Sequence, residues 1–232
     1  MVELVGPAGA GKTTLSRVLS QRSERIVVGA DIELRKVEHA PVFVRNAPLL
    51  LPLFLRPCRH SRWFTWDEIK AMVYLKGWHR VFRGQASREG AIVLLDHGPV
   101  FRLATLNAFG PDRLRNPAAE SWWTDMFKHW AFILDMVIWL DAPDVVLEER
   151  INARNQRHTV KGKTEHEVSQ FLARYRTSYR QTLSKLTAHG RLKLFRFDTN
   201  QTSIEAIVDE VLVAFNLKLS NISDPPTLTS RP

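Results

Sequence analysis

The chain has 232 residues, 33 Lys and Arg against 24 Asp and Glu, a formal net charge of +9 and 44% apolar residues; its pI is about 10.0. That length suits one domain carrying a lid or insertion, and the apolar fraction suits a globular protein with a sizeable core. The basic balance favours anionic partners such as nucleotides, nucleic acid or an acidic membrane surface, while the lone cysteine, Cys58, excludes an internal disulfide and fits a reducing compartment.

Residues 2–5 read as a short buried strand. No leader peptide is expected ahead of a strand that starts at Val2, so a cytoplasmic location is expected. Gly6-Pro7-Ala8-Gly9-Ala10-Gly11-Lys12-Thr13 follows and fits the phosphate-loop pattern G-x-x-x-x-G-K-[ST] at every fixed position. Behind it, residues 14–21 place Leu15, Val18 and Leu19 on one helical face. Gly6, Gly9 and Gly11, with the small Ala10, let the backbone turn tightly and aim N–H groups at an anion. The helix start, where Thr14 sits, adds about half a positive charge. Lys12 is expected at the β- and γ-phosphates of ATP, and the Thr13 hydroxyl on Mg²⁺.

Residues 25–29 read as the second strand, and Asp31 follows it. Ligands of open parallel sheets bind outside the carboxyl ends of strands, so Asp31 is expected to face the same crevice. With a hydroxyl acceptor it would take the proton as general base; with a phosphate acceptor it would orient the substrate. Glu33 competes for either role, and a solvated loop acid is an equal alternative. Residues 47–57 are strongly apolar and broken by Pro48, Pro52 and Pro57. That run is far short of the roughly 20 residues that span a bilayer, so no stable membrane insertion is expected. It reads as internal core, then as a flap over an apolar acceptor, and last as a shallow membrane contact.

Helical spacing covers residues 65–86, and residues 91–95 form a third strand. Asp96 follows that strand directly. A carboxylate there is expected to ligate Mg²⁺, directly or through water, with capping of the helix that starts at Pro99 as the alternative. Helices follow over residues 99–108 and 117–133, where Trp122, Trp123, Phe127 and Trp130 at helical spacing read as core. A fourth strand covers residues 136–140, then a helix over 143–153, a long helix over 164–188, a fifth strand over 192–197 and a helix over 203–215. The proline-bearing end from residue 220 reads as a frayed tail. Strands alternating with helices imply a parallel sheet covered on both faces.

Twelve Lys and Arg fall within residues 150–196 against two acids, Glu165 and Glu167. Arg150 and Arg154 are four apart and share a helix face. Arg154, Arg157, Lys161 and Lys163, with Gly162 as a hinge, read as a mobile basic lid. Its arginines would neutralise charge on the transferred group, and its closure would exclude water. A solvated basic face or a nucleic-acid patch is the alternative; aromatics are sparse here, so the lid is preferred.

These blocks together resemble the thymidylate-kinase-like, (deoxy)nucleoside and nucleoside-monophosphate kinase branch of the P-loop kinases. The resemblance runs through the glycine loop, Leu94-Leu95-Asp96 and Ile138-Trp139-Leu140-Asp141-Ala142-Pro143 leading into Arg150-Ile151-Asn152-Ala153-Arg154. It continues through Phe171-Leu172-Ala173-Arg174-Tyr175 and Phe197-Asp198-Thr199-Asn200-Gln201, in the family's order over most of residues 1–215. It implies an α/β P-loop NTPase fold, with a five-stranded parallel sheet of order 2-3-1-4-5 flanked by helices. One domain over residues 1–215 would carry an acceptor-side insertion at about 38–90 and the lid at about 150–165, followed by a flexible tail over 216–232. It also implies Arg150 near the adenine, Arg154 and Arg157 at the phosphates, and the Thr199 to Gln201 loop at the adenine edge. The chain departs from thymidylate kinases at His97, where they carry Arg, and at Gly29-Ala30-Asp31, where they carry Arg-Glu-Pro. Both positions serve the acceptor, so thymidine monophosphate is not carried over.

The expected activity is a small-molecule kinase using MgATP, acting on a nucleotide, nucleoside or similar metabolite. No nucleic-acid partner is expected, and homodimerisation is left open. The alternatives are a nucleic-acid-binding P-loop ATPase, a kinase of a sugar, antibiotic or lipid-like alcohol, and a nucleotide-dependent switch.

Overall fold

The structure, a computed structural model, describes residues 1–29, 40–55, 61–79, 82, 91–156 and 158–223. Asp31, Glu33, Cys58 and Arg157 lie outside the described residues. Five apolar runs form strands: β1 Val2–Val5, β2 Ile26–Val28, β3 Ile92–Asp96, β4 Met136–Asp141 and β5 Lys193–Asp198. All pair in parallel in the order β2-β3-β1-β4-β5, the order the resemblance implies. Parallel neighbours need crossovers, and helices supply them. These are α1 Lys12–Arg22, α2 Ala40–Asn46, α3 Leu51–Leu55, α4 Trp66–Gly77, α5 Pro99–Phe109, α6 Glu120–Ile133, α7 Asp144–Asn152, α8 Glu165–His189 and α9 Ile204–Ser223.

Successive strand residues point to opposite faces, so the central strands feed two cores. Leu4, Leu94, Ile138 and Leu140 pack with Leu15 of α1, Leu147 of α7 and Ile207 of α9. Val5, Leu95, Val137 and Trp139 pack with Met72 of α4, Val100 of α5 and Trp130 of α6. The long helix α8 serves both, with Val168 and Leu172 in the first core and Tyr179, Leu183 and Leu186 in the second. Burial on both faces is why these strands read as near-continuous apolar runs. Trp122, Phe127 and Trp130 are buried as the spacing implies, and the Trp130 indole N–H donates to the Leu75 carbonyl at 3.0 Å.

Two stretches differ from the sequence reading. The described part of the 47–57 run, residues 47–55, is not core throughout: Leu50 is buried, but Leu49, Leu51 and Leu55 are exposed. The segment forms a single 3₁₀ turn, Pro48–Leu50, and the short α3, and elements this short bury only one side. At the other end, α9 continues past Phe215 into the stretch read as tail and reaches Ser223. No helix among the described residues is long and apolar enough to cross a membrane.

The topology sets the site. Leu4 of β1 pairs with Asp96 on one side and Ile138 on the other. The carboxyl ends of β1, β3 and β4 therefore lie side by side, where open parallel sheets bind ligands.

Candidate active site

Between β1 and α1 the backbone turns through three left-handed glycines, Gly6 (φ 142°), Gly9 (φ 85°) and Gly11 (φ 91°). Side chains are also excluded by contact. A Cβ at Gly6 would lie 2.0 Å from the Leu140 carbonyl oxygen, and one at Gly9 would lie 2.9 Å from that of Leu147. The loop is thus pressed onto the end of β4 and onto α7, with Ala10 buried beneath it. Gly11 caps α1 without a side chain. The first-turn N–H groups, those of Thr13 and Thr14 among them, have no acceptor within the helix and suit an anion.

The Lys12 ammonium donates to the carbonyls of Gly6 (2.8 Å) and Pro7 (3.0 Å). Burial pushes its pKa down to about 8; Asp96 opposes that shift and Arg154 adds to it. The Thr13 hydroxyl donates to Asp96 Oδ2 at 3.3 Å. The other oxygen, Asp96 Oδ1, is buried and accepts no hydrogen bond, with His97 Nδ1 at 3.7 Å. A hydroxyl beside a carboxylate with an unfilled oxygen is a donor set for a hard divalent cation, and these residues fit Mg²⁺. Among the described residues no three His, Cys, Asp or Glu gather into a cage. Mg²⁺ in phosphate-handling sites is commonly held by one or two carboxylates plus substrate phosphates.

Arg150, in the last turn of α7, joins two loops. Nη1 donates to Thr199 Oγ1 (2.8 Å) and to the Gly9 carbonyl (3.4 Å), and Nη2 donates to the Thr199 carbonyl (3.0 Å). Its fork is occupied by protein, so in this state it braces the glycine loop against the β5–α9 connection. Gln201 lies exposed in that connection, its N–H donating to the Asp198 carbonyl at 3.1 Å. Arg154 lies exposed just beyond α7. His158 is held below the usual histidine range by burial first, then by the charges of Arg154, Lys12 and Lys161. Within the basic segment read as a lid, Val160 is buried in the core that holds Leu172, and its carbonyl accepts the Lys163 N–H at 3.1 Å. Gly162 (φ 74°) meets open space.

The structure thus gathers the glycine loop, Lys12, Thr13, Asp96, Arg150 and Thr199 at one edge of the sheet. Asp31 and Arg157 are outside the described residues. Three contributors were not assigned to the site from the sequence. Tyr179, fully buried on α8, points its hydroxyl at the Gly6 carbonyl at 3.5 Å. Arg176 Nε and Nη2 donate to both oxygens of Asp141 (2.8 and 3.0 Å), fastening α8 to the end of β4. Glu3 is wholly buried in β1, where burial raises its pKa to about 8. The available signal for Glu3 was an acid inside an otherwise apolar strand.

A family model described as AAA domain matches residues 1–178, from β1 into α8. The chain belongs to that AAA domain family. The matched span includes the loop, Asp96, Arg150 and Arg154; β5, Thr199 and α9 lie beyond it. Among solved structures, deoxyadenosine kinase of M. mycoides with dCMP and a flexible dCDP bound is similar over 93% of this chain and 98% of its own, at TM-score 0.53 and 14% identity. The same enzyme with dCTP bound aligns over 94% and 100%, at TM-score 0.51 and 15% identity; with dATP bound it aligns over 93% and 98%, at 0.52 and 12%. At such identities the likeness is one of fold. No curated protein matches the chain.

Proposed function

We propose that this protein is a cytoplasmic, ATP-dependent phosphotransferase that moves the γ-phosphoryl group to a small-molecule acceptor, with nucleosides and nucleotides as the first class to test. The observation that carries this reading is the convergence of Lys12, Thr13 and the unfilled Asp96 oxygen at the mouth of a left-handed glycine loop. Loop N–H groups and the start of α1 bind phosphate oxygens, and Lys12 exchanges two neutral carbonyl acceptors for anionic ones. Mg²⁺ held by Thr13 and Asp96 would neutralise charge on the β- and γ-phosphates. Arg154 supplies a planar fork beside Lys12, and Arg157 is assigned the same part from its place in the lid. With a hydroxyl acceptor, Asp31 accepts the proton as the acceptor oxygen bonds to phosphorus and the bond to ADP breaks. With a phosphate acceptor no base is needed, and Asp31 orients it.

The nucleoside class is supported by the fold likeness to deoxyadenosine kinase. His97 and Gly29-Ala30-Asp31 differ from thymidylate kinases on the acceptor side, which is why the test extends to other alcohols. γ-Labelled ATP should be offered with nucleosides, monophosphates, sugars, aminoglycosides and lipid-like alcohols. Label is expected on one acceptor class and on none with Lys12→Ala. ATP hydrolysis that responds only to DNA or RNA, with no labelled acceptor, would overturn the assignment in favour of a nucleic-acid-dependent ATPase.

A further inference from the structure

All four residues of β1 are buried, and Glu3 has no exposed surface. A carboxylate withdrawn from water is costly unless fixed donors replace its hydration. Its presence in the central strand therefore needs a cause. The donors are two backbone N–H groups at the start of α5: Val100 donates to Oε2 at 2.8 Å and Phe101 to Oε1 at 2.9 Å. First-turn N–H groups have no acceptor within their own helix and carry partial positive charge. The α5 N-cap is Gly98, which makes no side-chain cap bond. Glu3 supplies the missing cap from another element. The turn is also seated on that carboxylate: a Cβ at Gly98 would lie 2.7 Å from Glu3 Cδ and 2.9 Å from Oε2.

The residues just before this clamp are Asp96 and His97. His97 takes φ 62°, which residues with a Cβ seldom adopt. A strained turn of this kind persists only when its surroundings over-determine it. One end is held by the β-ladder, through the pairing of Asp96 with Leu4. The other is held by the two Glu3 bonds, and the His97 ring packs on Phe101, centroids 4.4 Å apart. Between these fixed ends Asp96 meets Thr13.

We infer that Glu3 is a positioning residue for the metal-binding pair: by locking the start of α5 it fixes the aim of Asp96 at Thr13. The inference rests on the metal role proposed for Asp96. Glu3 acts through the turn and not by touching the reacting atoms.

The test is the affinity of a fluorescent methylanthraniloyl-ATP measured at about pH 9, where Glu3 is ionised, in EDTA and in excess Mg²⁺, with Asp96→Asn as the reference. The wild-type protein should gain affinity on adding Mg²⁺, and Asp96→Asn should lose that gain. Glu3→Gln replaces one accepting oxygen with an NH₂ that opposes a backbone N–H. It should keep its circular-dichroism spectrum and its EDTA affinity, yet lose about ten- to a hundredfold of the Mg²⁺-dependent gain, as outer partners of metal ligands do. Gly98→Ala presses on the same carboxylate and should give the same selective loss; it carries the test should Glu3→Gln not fold. If either folded variant keeps the full Mg²⁺ gain while Asp96→Asn loses it, the positioning role is overturned alone. Equal weakening in EDTA and in Mg²⁺ overturns it too, because the clamp then supports the glycine loop in general. If Asp96→Asn retains the gain, the metal role of Asp96 falls, and the Glu3 inference falls with it.

Discussion

Lys12 has an ammonium pKa near 8 because burial penalises its charge more than Asp96 compensates. In the unfolded chain the value returns to about 10.5. Between those limits the folded chain binds fewer protons than the unfolded one. Lys12 therefore costs stability below about pH 8, and that cost fades as pH rises toward 10.5. Bound phosphates reverse the balance by favouring the charged form. Nucleotide binding at about pH 9 should thus take up close to one proton, measurable by titration calorimetry in buffers of different ionisation enthalpy. Lys12→Met should abolish the uptake and lower phosphoryl transfer by about 100- to 1,000-fold, the scale set by losing one preorganised charge partner. Uptake unchanged in Lys12→Met would assign the titration to another group. The glycines of the same loop were legible in the sequence because a left-handed turn needs them locally. Glu3 was not, since its partners lie at residues 100 and 101.

The lid segment was read from charge and one glycine as a mobile run. The structure adds two restraints which that pattern does not carry. Val160 is buried, and Thr164 closes a capping box with Glu167 at the start of α8: the Thr164 hydroxyl accepts the Glu167 N–H, and the Glu167 carboxylate accepts the Thr164 N–H. Thr164 at N-cap and Glu167 at N3 is a sequence signature; the burial of Val160 depends on a core assembled from other helices. The segment is thus tethered through Val160 and through the start of α8. Arg154→Lys should lower turnover by at least about tenfold while changing nucleotide affinity less, because an ammonium cannot reproduce the guanidinium fork. Limited proteolysis should cut Val160→Ser within residues 154–163 faster than the wild type without nucleotide, and a bisubstrate-like ligand should protect both. Cleavage indifferent to ligand, together with normal turnover in Arg154→Lys, would mark the segment as a solvated surface.

Across the whole molecule the net charge of +9 should steer MgATP toward the protein. Stopped-flow association of a fluorescent ATP is expected to slow severalfold between roughly 25 and 250 mM salt, as screening shortens the reach of the field. A rate indifferent to salt would confine the charge to solubility. The alternation of strands and helices, the glycine loop and the core face of α6 followed from the sequence alone. Their determinants, periodicity and backbone permissiveness, act within a few residues. The sheet order needed more than periodicity, and came from the resemblance of ordered motifs. What only the tertiary structure decided are the meetings between distant parts. Thr13 and Asp96 are 83 positions apart and converge because β1 and β3 pair with Leu4 opposite Asp96. Arg150 turns to Thr199 and Gly9 because the ends of α7 and β5 flank the loop. The apolar residues 49, 51 and 55 stay exposed because single turns leave one side uncovered. Spacing in sequence specifies which face a residue occupies, whereas register and packing specify what that face meets.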